Sequence, residues 1–173
     1  DIFINLAKKL NNNKDLGFLF VGRGSEVPRL EACIKELPLS NILFFDEIDP
    51  QEIPGLLEQC HIGLLALDPR HTTHNIPGKF LTYLLASLPV LARVNAGTDL
   101  AHLIEDEGVG KVYIGDSVKE FSILAQEIVC NQVSYELMSS NGHKLAESVF
   151  STTSAVHQIL TTYLDNSSFS PKI

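Results

Sequence analysis

The sequence predicts an α/β protein: a Rossmann-like parallel sheet with helices on both faces. Three observations carry this. Short apolar runs of four to seven residues alternate with stretches of helical periodicity along most of the chain. The runs are continuous rather than alternating with polar residues, as in strands covered on both sides. The 173 residues and the 45% apolar fraction fit one globular domain, which buries about 70% of the surface its unfolded chain exposes. Repeated strand–helix–strand units imply right-handed crossovers and a ligand site beyond the carboxyl ends of the strands.

Taken in order, Ile2, Phe3, Leu6 and Leu10 share a helical face, and Gly17 to Gly22 is an apolar strand closed by glycine. Ser25 offers a cap for a helix whose apolar side is Leu30, Cys33, Ile34 and Leu37. A strand follows at Asn41–Phe45, then a helix over Pro50–Cys60 with Asp49 as its cap. The third strand is His61–Leu67, followed by a long polar loop from Asp68 to Gly78. A helix bearing Lys79 leads to a strand at Pro89–Val94, a short helix at Leu100–Glu105 and a strand at Gly110–Ile114. Helical patterns at Val118–Cys130, Val133–Ser148 and Thr152–Leu164 close the domain, expected to span residues 1–165, and residues 166–173 are expected to form a disordered tail.

The net charge of −8 argues against nucleic acid as a partner, because counterion release needs clustered Lys and Arg. No apolar run approaches the roughly 20 residues that span a bilayer, and no signal peptide opens the sequence. Cys33, Cys60 and Cys130 are widely spaced in apolar surroundings, the pattern of reduced, mostly buried thiols in a cytoplasmic protein. No Cys or His pair has ligand spacing, so no metal is expected. The chain starts without methionine and already in helical register, which reads as a segment excised from a longer protein.

The candidate site lies in the loops at the carboxyl ends of the strands. Gly22-Arg23-Gly24-Ser25 follows a strand and opens a helix, but Val27 stands where a dinucleotide fingerprint needs its third glycine. It reads equally as a tight turn. Phe45, Glu47 and Ile48 end the second strand, where a planar base would find an apolar wall and main-chain hydrogen bonds, or where a plain turn leads to the Asp49 cap. His74, Asn75, Ile76, Pro77, Gly78 and Lys79 form a polar loop running into a helix start. The free N–H groups there carry about half a positive charge, and Lys79 adds a full one, suiting a diphosphate. Asn95-Ala96-Gly97-Thr98-Asp99 offers further N–H groups, with Thr98 either a ligand contact or a simple cap. No serine or cysteine has the setting of a nucleophile.

The order of these parts resembles the C-terminal, nucleotide-sugar-binding domain of family-four retaining glycosyltransferases, enzymes of the two-domain GT-B fold. Leu19–Ser25 is similar to the family's "fvGxGs" turn, Asn41–Asp46 to its "nVxFxG" strand and Ile53–Leu64 to "lpxllaxaDvgl". Ile76–Ala92 resembles the "xPsKxxEYlAxGkPVia" donor helix, Gly97–Tyr113 the "GlxelixxxxxGxlv" segment and Phe150–Leu164 the closing helix. The resemblance implies that Lys79 and the N–H groups of Ile76 to Lys79 face the donor diphosphate and that the Phe45–Ile48 loop holds the base. Two glutamates that commonly contact sugar and ribose in the family fall at His74 and Thr82 here, and the glycine usual before the strand is Ser87.

It further implies a full-length enzyme that moves a sugar from a UDP-, GDP- or ADP-sugar to a hydroxyl acceptor with retention. The context would be bacterial surface polysaccharide or lipid-linked glycan synthesis. No cofactor and no metal are expected in this domain. Acceptor binding would lie on a missing N-terminal domain, as would any membrane contact, leaving the protein cytoplasmic or peripheral at the inner face of the membrane. The domain's first strand is expected to be missing too, and the isolated fragment is expected to be inactive. Rival readings are a degenerate GT-B domain kept for assembly, favoured by Thr82 and Ser87, and half of a nucleotide-sugar epimerase.

Overall fold

The computed structural model describes residues 1–68, 70 and 76–167. Among them the helices are α1 (Ile2–Leu10), α2 (Val27–Glu36), α3 (Ile53–Leu57), α4 (Gly78–Leu85), α5 (Asp99–Asp106), α6 (Val118–Cys130), α7 (Gln132–Val149) and α8 (Thr152–Ser167). The strands are β1 (Phe18–Val21), β2 (Ile42–Phe45), β3 (Gly63–Ala66), β4 (Val90–Arg93) and β5 (Gly110–Tyr113), interleaved with the helices up to α6. All pairing is parallel, as the alternation requires. It forms two sheets, β1 with β2 and β3–β4–β5 in that order. Phe18 lies opposite Ile42, Gly63 opposite Val90, and Val90 opposite Gly110.

β4 is the centre of the molecule and is buried along its length. Alternate residues of a strand point to opposite faces, so β4 feeds two apolar cores. Val90, Ala92 and Val94 pack with Phe80 and Leu84 of α4, Leu100 and Ile104 of α5 and Leu145 of α7. Leu91 joins Leu6 and Leu10 of α1, Phe18 of β1, Tyr113 of β5 and Phe121 and Ile128 of α6. The spacing of Leu6 and Leu10, and of Phe121, Ala125 and Ile128, places each set on one helical stripe. Each such large side chain contributes about 1.5–3 kcal/mol when fully buried.

Several details differ from the sequence reading. β2 is not covered on both faces: Leu43 is 61% and Phe45 52% exposed, and neither α2 nor α3 contributes a fully buried residue. Ser25 does not cap α2. The cap position is Glu26, without a side-chain bond, and Pro28 lies in the first turn, where its missing N–H removes one donor that a cap would serve. Asp49 does cap the next segment, accepting from the Gln51 amide at 2.8 Å. That segment is a 3-10 turn at Pro50–Glu52 followed by only one short helix, α3, rather than a helix to Cys60: Pro54 has no N–H to bond Pro50 O and splits the ladder there, and past Leu57 the Gln59 and Cys60 amides close tight turns on Leu56 O and Leu57 O instead. Cys33 and Cys60 are half-buried and Cys130 is exposed, so the thiols are not mostly buried. α2 packs loosely, and Cys130 is the last residue of α6. α8 runs to Ser167, so residues 166 and 167 belong to it, and positions 168–173 lie outside the described residues.

The turn between α4 and β4 explains why a glycine would be at home at position 87. Ser87 has φ 56°, in the left-handed region, and its carbonyl accepts from the Ser139 hydroxyl at 2.7 Å. Ser87→Gly relieves the Cβ conflict while keeping that carbonyl. It is expected to stabilise by about 0.5–1 kcal/mol after the entropy of glycine in the unfolded chain is subtracted. Urea titration should show a higher midpoint, and a lower one would contradict the strain assigned to this turn.

Candidate functional site

The carboxyl ends of the strands carry two groups of residues. The first joins the loops after β1 and β2. The Gly22 amide donates to Phe45 O at 3.2 Å, with Gly22 at φ 149°, a conformation open to glycine. Arg23 Nε lies 2.9 Å from Glu47 Oε2 in an exposed ion pair, so Glu47 is already engaged by a cation from the neighbouring loop. Gly24 has nothing near its missing Cβ. Phe45 is exposed and Ile48 half-buried. The loops following β1 and β2 therefore meet and leave an apolar ring uncovered beside main-chain groups.

The second group follows β3, β4 and β5. Ile76 packs half-buried against the core around Phe80. Pro77 is the cap residue of α4, with φ −64° and ψ 141° and no side-chain cap bond, and Gly78 begins the helix. Lys79 and Thr82 are exposed on its first turns. The first turn of α4 holds no acidic residue, and Lys79 makes no hydrogen bond or ion pair among the described residues. A cation there is opposed by the helix dipole, typically by 0.3–1 kcal/mol. Fixed donors and an unmet charge thus share one helix start. The Thr82 hydroxyl donates back to Gly78 O at 3.1 Å, so what it offers outward is acceptor capacity on a single oxygen. His74 and Asn75 lie outside the described residues.

Thr98 resolves as a cap. It is buried, its Oγ1 accepts from the Ala101 amide at 3.3 Å and it donates to Asn95 O at 3.1 Å. Asn95 in turn donates to Asp68 O at 3.3 Å, tying the start of the long loop to the end of β4.

Arg93, which the sequence reading passed over, bridges three segments of this region. Its guanidinium donates to Gly115 O at 3.3 Å, Leu67 O at 3.4 Å and Asp116 Oδ1 at 2.6 Å. Its side chain is 10% exposed, and its carboxylate partner 90%. One planar fork thereby ties the carboxyl ends of β3, β4 and β5 together. A lone charge in the run Val90–Val94 was the available signal, because a charge in a buried strand must be paired. Behind the site, the Tyr83 ring covers Gly63 and its hydroxyl donates to Leu64 O at 3.3 Å. Burial, with the nearby Cys60, pushes the Tyr83 phenol above its usual range and keeps it a neutral donor.

No family model matches the chain. Over 104 residues it is 24% identical to the probable glycosyltransferase WbjE of Pseudomonas aeruginosa, a match covering 60% of this chain. The chain spans only 26% of the length of that curated relative. Among solved structures, it matches HepE of Anabaena in complex with UDP-glucose with a TM-score of 0.70 and 19% identity, over 95% of this chain and 44% of that one. It matches the C-terminal domain of the group 1 glycosyltransferase LpcC of Francisella tularensis with a TM-score of 0.67 and 17% identity, over 87% of this chain and 78% of that one. The chain has the α/β, Rossmann-like fold of the C-terminal domain of GT-B glycosyltransferases.

Proposed function

We propose, from that C-terminal GT-B fold, that this chain is the donor-binding half of a retaining glycosyltransferase that takes a UDP-, GDP- or ADP-sugar and transfers its sugar to a hydroxyl. The supporting observation is the start of α4: helix-start N–H groups and a Lys79 that has no ion pair among the described residues, with no acid in the helix's first turn. A diphosphate placed there would satisfy both, and as leaving group it would be stabilised by the same charges as its bond to the sugar breaks. Gly22, Gly24, Phe45, Glu47 and Ile48 would border the base, and His74 to Lys79 with Thr82 the phosphates and sugar. Acceptor recognition and any membrane contact are assigned to a partner domain, leaving the chain by itself inactive. No helix among the described residues is long and apolar enough to cross a membrane. Surface polysaccharide or lipid-linked glycan synthesis is the proposed setting.

Thr82 supports the second reading, a degenerate domain. Its single hydroxyl, already donating to Gly78 O, is a poor substitute for a carboxylate that would receive two ribose hydroxyls. Calorimetric titration with UDP, GDP and ADP separates the two readings, since a degenerate domain binds none of them at millimolar concentration. If one binds, Lys79→Ala is expected to weaken the nucleotide diphosphate sugar about 10- to 100-fold, the worth of a hydrogen bond to a charged group. The bare nucleoside should bind unchanged, and equal loss for both would remove Lys79 from the phosphate site.

A further inference from the structure

β2 pairs with β1 alone, which leaves its other edge open. The Phe18 amide donates to Asn41 O at 2.7 Å and the Gly22 amide to Phe45 O at 3.2 Å. Asn41, Leu43 and Phe45 therefore turn their main-chain groups to β1, and Ile42 and Phe44 turn theirs away. The outward amides of Ile42 and Phe44 have no hydrogen-bond acceptor among the described residues. Edge strands are normally guarded by a charge, a proline or a bulge, and Ile42-Leu43-Phe44-Phe45 has none of these. One face of the strand is covered: Ile42 packs on the core of α1 and α6, and the Phe44 ring stacks on Phe20 at 6.0 Å. The other face is not, with Leu43 61% and Phe45 52% exposed. The two ends carry opposite charges. At the start Lys14 Nζ lies 3.5 Å from Ser40 Oγ, and just past the end stands Asp46; neither has an ion pair among the described residues.

We infer that β2 is a dimerisation edge: it pairs antiparallel with β2 of a second copy of this chain, across a two-fold axis at Leu43. The outward groups fix the register. Ile42 of each copy exchanges both main-chain bonds with Phe44 of the other, which places Leu43 opposite Leu43 in the close, non-hydrogen-bonded position. In that register Phe45 lies opposite Asn41 and Asp46 opposite Ser40. The acid of each copy thus arrives beside Lys14 of the other, and opposite charges across strands are favourable. A parallel pairing would set Lys14 against Lys14 and Asp46 against Asp46. The strand is therefore complementary to itself, which a two-fold interface requires, and this selects a second copy as the occupant. The exposed side chains of Leu43 and Phe45 are covered by the same residues of the other chain, and removing them from water drives the association. Four residues a side make a small interface, so the dimer is weak and transient.

The test is sedimentation velocity on the 173-residue chain, from about 10 μM to about 1 mM, which should show a monomer–dimer equilibrium. Leu43→Asp, at an exposed position where folding is spared (checked by circular dichroism), should remain monomeric throughout. In a Cys130→Ser background, Leu43→Cys should form a chain-to-chain disulfide under mild oxidation at least about ten times faster than Leu85→Cys, because the close cross-strand position suits the bond. Leu85 is the control, being 55% exposed on α4. Lys14→Asp or Asp46→Lys alone should weaken the dimer about three- to tenfold, and the two together should restore it. A chain that is monomeric at the highest concentration overturns the inference. So does a dimer that survives Leu43→Asp, or one in which Leu43→Cys cross-links no faster than Leu85→Cys, since either belongs to another face. A double charge exchange weaker than both single ones would refute the antiparallel register and overturn it too. None of these outcomes depends on nucleotide binding.

Discussion

Phe80→Ala is expected to destabilise the protein by about 3–5 kcal/mol, the range for removing a fully buried aromatic ring. Phe80 is 0% exposed and stands between β3, β4 and α7 in the core that includes Leu65, Val90, Ala92 and Leu145. No flexible side chain of that core, where Leu84, Leu100 and Ile104 are themselves fully buried, can fill the cavity without leaving its own place. The ring is seated one turn into α4, whose first turn is closed by the Phe80 amide on Pro77 O at 2.9 Å, so its burial fixes the helix start against the core. The thermal midpoint should fall by about 6–20 °C for a chain of this size. Any nucleotide affinity should fall with it, whereas Lys79→Ala should spare the midpoint because that side chain is exposed and makes no hydrogen bond or ion pair among the described residues. A loss under about 1 kcal/mol would mean that α4 is not seated as described.

Gly110→Ala is the second severe change. Gly110 pairs with Val90 across β4 and β5, and an added Cβ would run into the Val90 main-chain carbonyl. Backbone cannot give way here as a side-chain tip can, because the Val90 amide is held by Val109 O at 3.0 Å. Overpacking typically costs 1–3 kcal/mol, and a clash with a strand in the centre of the sheet belongs at about 3 kcal/mol or above. Gly24→Ala is the control: its Cβ would meet nothing within 4 Å, so the change should stay within about 0.5 kcal/mol. Chemical denaturation of the two variants decides the matter, and similar stabilities would refute the close approach of β4 and β5.

The parts of the fold carried by local pattern were legible in the sequence. All five strands fall inside the apolar runs, and α4 begins at the Gly78–Lys79 step because Pro77 supplies an extended residue before it. Asp49 was readable as a cap because an acceptor directly before Pro50 has one local use. What escaped depends on distant partners. Ser25 has the chemistry of a cap, but Pro28 shifts the helix start. Thr98 could be read two ways until burial and the Ala101 amide settled it. Arg93 reaches Leu67, Gly115 and Asp116, three positions no periodicity brings together. The division of the sheet was equally invisible, since an apolar run does not say which edge of its strand is paired.

The uneven burial of the two sheets has a consequence for motion. β4 is buried throughout, whereas α2, β2 and α3 hold no fully buried residue. Local opening costs least where little apolar surface is covered, so the β1–β2 half should unfold and reclose many times for each opening around β4. In the proposed function, the fluctuating half would read the base and the steady half would grip the phosphates. A bound nucleotide would then be tethered at one end and flicker at the other, with its base leaving first and its diphosphate last.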